Sequence, residues 1–156
     1  MAPGLADFDF FTGRWQVSHR RLVGRLLGST EWQEFGGTCV VHPTLGGLGN
    51  VDDNVVNLPA ETYRAVTIRA FDPATGLWSI WWLDGRHPHQ LDVPVVGAFS
   101  DGVGEFLAQD NLRGMPILVR FRWSMTSDGP RWEQAFSPDD GATWEVNWVM
   151  QFRPAG

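Results

Sequence analysis

The sequence predicts an all-β protein, an antiparallel up-and-down barrel of about ten short strands with a short N-terminal helical turn. Three observations predict it. Apolar and polar residues alternate with a period of two along most of the chain, as they do where a strand buries one face. Clusters of turn formers (Asp72-Pro73-Ala74-Thr75-Gly76, Asp101-Gly102, Ser127-Asp128-Gly129-Pro130 and the run from Ser137 to Thr143) recur at hairpin spacing. Nine Trp and ten Phe against one Tyr supply the bulky aromatic surface that strands accommodate well. A meander of this kind must protect its edges, and closing the sheet on itself does so economically; a two-sheet sandwich is the alternative. The absence of obvious long crossovers disfavours a Greek key. About ten strands exceed the number whose side chains alone fill an interior, so a cavity is expected.

Leu5, Phe8 and Phe11 are spaced by three, consistent with one or two helical turns before Gly13 that would close one end of a barrel; a loosely packed N-terminal arm is the alternative. The first strand carries Trp15, Val17 and His19 on one face. Residues 22–29 hold too much glycine for a helix and read as an apolar hairpin tip or flap. The second strand, residues 30–41, places Trp32, Glu34, Thr38 and Val40 on one face, with Gly36-Gly37 permitting a bend or bulge. Residues 50–56 form the most polar strand. Residues 63–72 follow with Val66, Ile68 and Ala70 as the apolar face. Residues 78–84 are apolar on both faces and read as central. A polar loop, 85–94, leads to short strands at 95–99 and 103–109, and a further strand alternates Ile117, Val119, Phe121 and Trp123. The last two strands, 131–137 and 144–152, form an aromatic hairpin in which Trp144, Val146, Trp148, Met150 and Phe152 share one face.

At 156 residues the chain suits one domain, spanning 1–156. Its net charge of −6 argues against a nucleic-acid partner. One cysteine, Cys39, excludes an internal disulfide and fits a reducing compartment. The first residues lack the features of a signal peptide, and no apolar run approaches the ~20 residues of a membrane span. A cytoplasmic location without a membrane partner is expected, and a homodimer is left open.

Several residues are candidates for chemistry. His19 beside Trp15 and Val17, and Glu34 beside Trp32 and Val40, would form an acid/base pair if both faces line the lumen; the alternative is a satisfied polar pair or two solvent-facing residues. Gln134 lies between Trp132 and Phe136, and Asp84 ends the Trp78/Ile80/Trp82 face; such polar groups in an aromatic lining orient a small guest. Asn50, Asp52 and Asn54 share a face, with Asp53 opposite, which suggests a hard cation less strongly than a solvated strand face. His87-Pro88-His89 lacks a third metal ligand nearby and reads as a surface loop. Cys39 has no visible activating base and reads as packing.

Phe11-Thr12-Gly13-Arg14-Trp15, a Gly-x-Trp entering the first strand, resembles the start of calycins: lipocalins, fatty-acid-binding proteins and nitrobindins. The runs F-D-P-A-T-G-L-W-S-I-W-W-L-D and S-P-D-D-G-A-T-W-E-V-N-W-V-M-Q-F resemble bacterial calycin-like domains that carry no agreed activity. Ser137-x-Asp139-x-Gly141-x-Thr143-Trp144 also matches the Asp-box of sialidases, a turn remote from their chemistry, and is taken as structural. The resemblance implies a barrel that binds an apolar, aromatic or polyketide-like small molecule. Trp32, Trp82, Trp123, Trp132, Trp148 and Met150 would wall its cavity, and His19, Glu34, Asp84 and Gln134 would orient the guest. A cofactor-free isomerase or cyclase using His19 and Glu34 is the alternative on the same barrel. No cofactor is expected, although the nitrobindin likeness leaves a haem sensor as a third reading; the barrel histidine that holds haem there has no counterpart that can be mapped onto this chain.

Overall fold

Ten strands run from Gly13 to Pro154 in a computed structural model that describes residues 2–156. They are β1 (Gly13–Leu22), β2 (Trp32–Thr44), β3 (Gly49–Asn57), β4 (Thr62–Asp72), β5 (Leu77–Asp84), β6 (Val95–Ser100), β7 (Val103–Leu112), β8 (Met115–Thr126), β9 (Gly129–Ser137) and β10 (Glu145–Pro154). Each pairs antiparallel with its neighbours in sequence, and β10 returns to pair with β1 from Trp15↔Pro154 to Arg21↔Trp148. An even strand number is what allows an all-antiparallel meander to close. The barrel expected from the sequence is the barrel observed.

The two ends differ. At one, the connections are short (45–48, 73–76, 101–102 and 127–128), and the N-terminal segment folds across them through a single 3-10 turn, Asp9–Phe11. Phe8 and Phe11 are fully buried there, and the segment is pinned by Trp15 Nε1 donating to the Phe11 carbonyl (2.8 Å) and Trp78 Nε1 donating to that of Gly4 (3.1 Å). Phe11 touches Trp123 edge to face at 4.8 Å and Phe152 at 4.9 Å, so the turn plugs the lumen. At the other end the connections 23–31, 85–94 and 138–144 are long, and the barrel is open.

Three facial assignments from the sequence are corrected. On β2 the inward residues are Phe35, Gly37, Cys39 and Val41, so Trp32, Glu34, Thr38 and Val40 point outward. On β4 the inward row is Tyr63, Ala65, Thr67, Arg69 and Phe71; Val66, Ile68 and Ala70 form the outer face. On β10 the register shifts between Val146 and Trp148, at a bulge on Asn147. The extra residue inverts the alternation, so Glu145 opposes inward Phe136 while Trp144 packs outside under the Arg120 guanidinium at 4.4 Å. The bend foreseen at Gly36-Gly37 brings no register shift. Gly37 instead permits close approach: a Cβ there would sit 2.3 Å from the Val55 carbonyl oxygen and 3.1 Å from His19 Nε2.

The polar row of β3 is also not solvated. Asn50, Asp52 and Asn54 are buried inside the barrel, where Asp52 Oδ2 meets Arg69 Nη2 at 2.7 Å. Asp52 Oδ1 accepts the Thr67 amide (3.0 Å) and the Asn54 side-chain amide, and Arg69 Nη1 donates to Asn50 Oδ1 (2.8 Å). The Arg69 guanidinium lies over the rings of Phe8, Phe11 and Trp123 at 5.0–5.5 Å. A void of only about 20 Å³ remains beside this cluster, so the deep lumen is filled rather than hollow.

Candidate functional site

Loops 23–31 and 85–94 leave a recess of about 260 Å³ in the open end of the barrel. Its wall is a run of rings from four strands: Trp82 of β5 meets Trp148 of β10 at 5.6 Å, Trp148 meets Trp132 of β9 at 5.4 Å, and Trp132 meets Phe121 of β8 at 5.0 Å. All three contacts are edge to face, the arrangement the ring quadrupoles favour. Tyr63 extends the wall onto β4. A side chamber of about 200 Å³ shares Arg25, Trp82, Asp92, Phe121 and Gln134 with the recess.

The flap foreseen at residues 22–29 reaches into this opening. Leu26 packs against the core, its amide donating to Glu145 Oε1 at 2.7 Å, and Arg113 Nη2 donates to the Arg25 carbonyl at 2.7 Å. The Arg25 side chain thereby lies at the boundary between recess and chamber, over the Phe136 ring at 5.4 Å.

The remaining polar lining is held by its neighbours. Gln134 Nε2 donates to Asn147 Oδ1 (2.8 Å), so the β10 bulge fixes the amide that the sequence singled out. Asp84 accepts from Arg86 through Nη2 (2.7 Å) and Nε (3.1 Å), while Arg86 also reaches Glu61 at 2.7 Å and lies 3.7 Å over Tyr63. Burial works to raise the Asp84 carboxyl, and the Arg86 hydrogen bonds outweigh it and hold the group below the usual carboxylate range. Asp92 has no such partner: burial, then Asp110 and Asp84, push its carboxyl up, with Arg25 pulling the other way.

His19 is buried behind the wall and does not line the recess. Trp148 Nε1 donates to its Nδ1 at 3.0 Å, and its ring stacks on Phe35 at 4.8 Å. Indole is only a donor, so Nδ1 must be unprotonated and the proton of the neutral ring sits on Nε2. Burial, then the Arg21 charge, lowers the imidazole to about 4. His19 therefore orients Trp148. The sign of its pH effect follows: the unfolded chain takes up a proton near 6.5 and the folded chain only near 4, so stability is full above pH 6.5 and is lost as pH falls toward 4. The expected loss is about 3 kcal/mol across that window. Urea denaturation of the native protein and of His19→Asn at several pH values checks this; equal slopes for the two would refute it.

Of the residues the sequence nominated, Trp82, Asp84, Trp132, Gln134 and Trp148 meet in the recess. Trp123 and Met150 lie deeper, in the filled lumen. Trp32 and Glu34 are outside: Arg20 lies 4.7 Å over Trp32 and pairs with Glu34 at 3.4 Å, because β2 turns its odd-numbered residues inward. The His19–Glu34 pair does not exist. Sequence reasoning missed Arg21, Arg25, Tyr63, Phe121 and Asp92. Arg21 continues the Trp15/Val17/His19 parity, a signal masked by its charge; Arg25 and Asp92 sit in loops, where no periodicity reports direction.

Haem held by a barrel histidine does not fit these residues, since His19 Nδ1 is taken by Trp148, its Nε2 faces the backbone at Gly37, and His87 stands on an exposed loop. Among the described residues no three His, Cys, Asp or Glu side chains gather as metal ligands. Cys39 is fully buried, which pushes its thiol up and away from reactivity. The Asp-box turn is satisfied internally, Asp139 accepting from the Ser137 hydroxyl and from the Thr143 amide, each at 2.8 Å. A larger groove of about 530 Å³ beside this turn is shallow and lacks aromatic walls. No protein-family model matches the chain, and no curated protein matches it.

Proposed function

We propose that the barrel binds a small molecule with an aromatic body, seated against the Trp82–Trp148–Trp132–Phe121 wall of the recess. That continuous edge-to-face wall is the observation that carries the reading. Rings locked by their neighbours and, for Trp148, by His19 present a preformed face that loses little freedom when a planar guest stacks on it. The Gly13-x-Trp15 likeness to calycins, many of which are carriers, agrees with this use of the barrel. An isomerase or cyclase on the same barrel would draw its proton-transfer group from the recess lining, where the Asp92 carboxyl has no ion-pair partner and its charged form is disfavoured, and not from Glu34.

Titration with neutral bicyclic aromatics, followed by Trp fluorescence, should give saturable quenching. Trp132→Ala, which removes the middle of the wall, should weaken it about ten-fold or more. Quenching that never saturates, or that is indifferent to Trp132→Ala, would remove the recess from consideration.

A further inference from the structure

All twelve basic residues of the chain are arginines. Arg20, Arg64, Arg69, Arg86, Arg122 and Arg131 each pair with a carboxylate. Arg14, Arg113 and Arg153 are exposed, and Arg120 lies outside the barrel over Trp144. That leaves Arg21 and Arg25. Both are half-buried in the recess, and neither forms an ion pair among the described residues.

Their placement keeps them available. The Arg21 guanidinium lies 4.7 Å over Trp148 and that of Arg25 5.4 Å over Phe136, contacts that hold a planar cation by its face, and the hydrogen-bonding neighbour of Arg21 is the Tyr63 hydroxyl, a neutral group. Arg21 also acts on Arg25: burial, and then Arg21, lowers the Arg25 guanidinium to about 10, with Tyr63 and Asp92 opposing. Of the carboxylates lining the recess, Asp84 is engaged by Arg86, and Asp92 stands beyond ion-pairing distance of both arginines. Tyr63 and His87 are the other titratable groups of the lining, and neither supplies a compensating negative charge near neutral pH. Partly desolvated cations without an ion-pair partner are costly unless something anionic completes them.

Resting on the reading of the recess given above, we propose that its guest is an aromatic carboxylate: the rings lie on the tryptophan wall and the acid group is received by Arg21, with Arg25 as the second donor. The guanidinium fork matches a carboxylate with two parallel N–H···O bonds, a geometry that a neutral oxygen cannot use as well. A two-ring acid is of a size with the recess, and the side chamber leaves room for a substituent beyond it.

The test compares 2-naphthoate with its neutral counterpart 2-naphthylmethanol by calorimetric titration at neutral pH. The acid should bind the native protein about ten-fold tighter or more, and Arg21→Gln should bring the two to within about two-fold, the acid losing more than the alcohol. Arg21→Lys should restore part of the preference. Equal binding of acid and alcohol to the native protein, a comparison that needs no variant, overturns the carboxylate assignment and leaves the aromatic recess standing. Binding of neither overturns the recess itself, and this inference with it.

Discussion

Asp52→Ala will destabilise the barrel by about 3–5 kcal/mol, the cost of stranding a buried charge by removing its partner. Arg69 is 3% exposed and Asp52 2%, so no water can replace the lost carboxylate without opening the lumen. The Arg69 guanidinium would keep Asn50 and three aromatic rings, none of which carries a negative charge. The Thr67 amide would lose this acceptor as well, and the Asn54 side chain would keep only the longer bond to the Ala65 carbonyl. For a chain of this size each kcal/mol corresponds to about 2–4 °C, so the melting temperature should fall by roughly 6–20 °C. The double variant Asp52→Leu/Arg69→Met removes both charges and should lie closer to the native protein than Asp52→Ala does. A melting temperature for Asp52→Ala within a degree or two of the native value would show that the pair is solvated or dispensable.

Phe11→Ala should cost a comparable amount, about 3–5 kcal/mol, by a different route. Phe11 is fully buried and contacts Trp15, Trp123 and Phe152 with ring centroids 4.8–5.7 Å apart. Truncation leaves a cavity that rigid indoles cannot collapse to fill, and the same ring shields the Arg69 guanidinium from one side. Phe11→Leu keeps most of the volume and should recover the larger part of the loss. Thermal melts of the two variants, with hydrogen exchange at the N-terminal turn, decide the matter. Equal melting of Phe11→Ala and the native protein would make the turn an ornament rather than a plug.

The strand count was legible because turn chemistry punctuates the chain so regularly, and the N-terminal plug because Phe8 and Phe11 keep a spacing of three. Which way each strand faces was legible only where the interior is apolar. On β3 and β4 the lumen holds Asn50, Asp52, Asn54, Thr67 and Arg69, whose charges and dipoles satisfy one another, while Val66 and Ile68 face outward. A one-dimensional pattern cannot show that mutual satisfaction, so those polar rows read as solvent-facing. The Asn147 bulge hid Glu145 and Trp144 in the same way, by inverting parity at a residue that looks ordinary in sequence. Half of the nominated wall reached the recess: Trp82 and Trp132 keep the parity of their strands, and Trp148 lies on the C-terminal side of the Asn147 bulge, where the alternation through Met150 and Phe152 is undisturbed. The cations of the site were overlooked for the reason they now matter: an unpaired arginine inside a barrel is an unexpected residue, and expectation assigns it to the surface.

The β1–β10 pairing bears on how the chain is made. Seven residues of the first strand, Trp15 through Arg21, pair with β2 on one side and find their partners on the other side only in the last strand. During synthesis β1 must therefore wait, with one edge unsatisfied, until almost all of the chain has emerged. The plug waits too, since Trp123 and Phe152, against which Phe11 packs, arrive late. Contacts so distant in sequence close slowly, and an incomplete sheet exposes strand edges that can pair with other chains. Aggregation during expression should therefore track the lifetime of that open sheet, so slower elongation across β9 and β10 is expected to be more harmful than slower elongation in the first half of the chain.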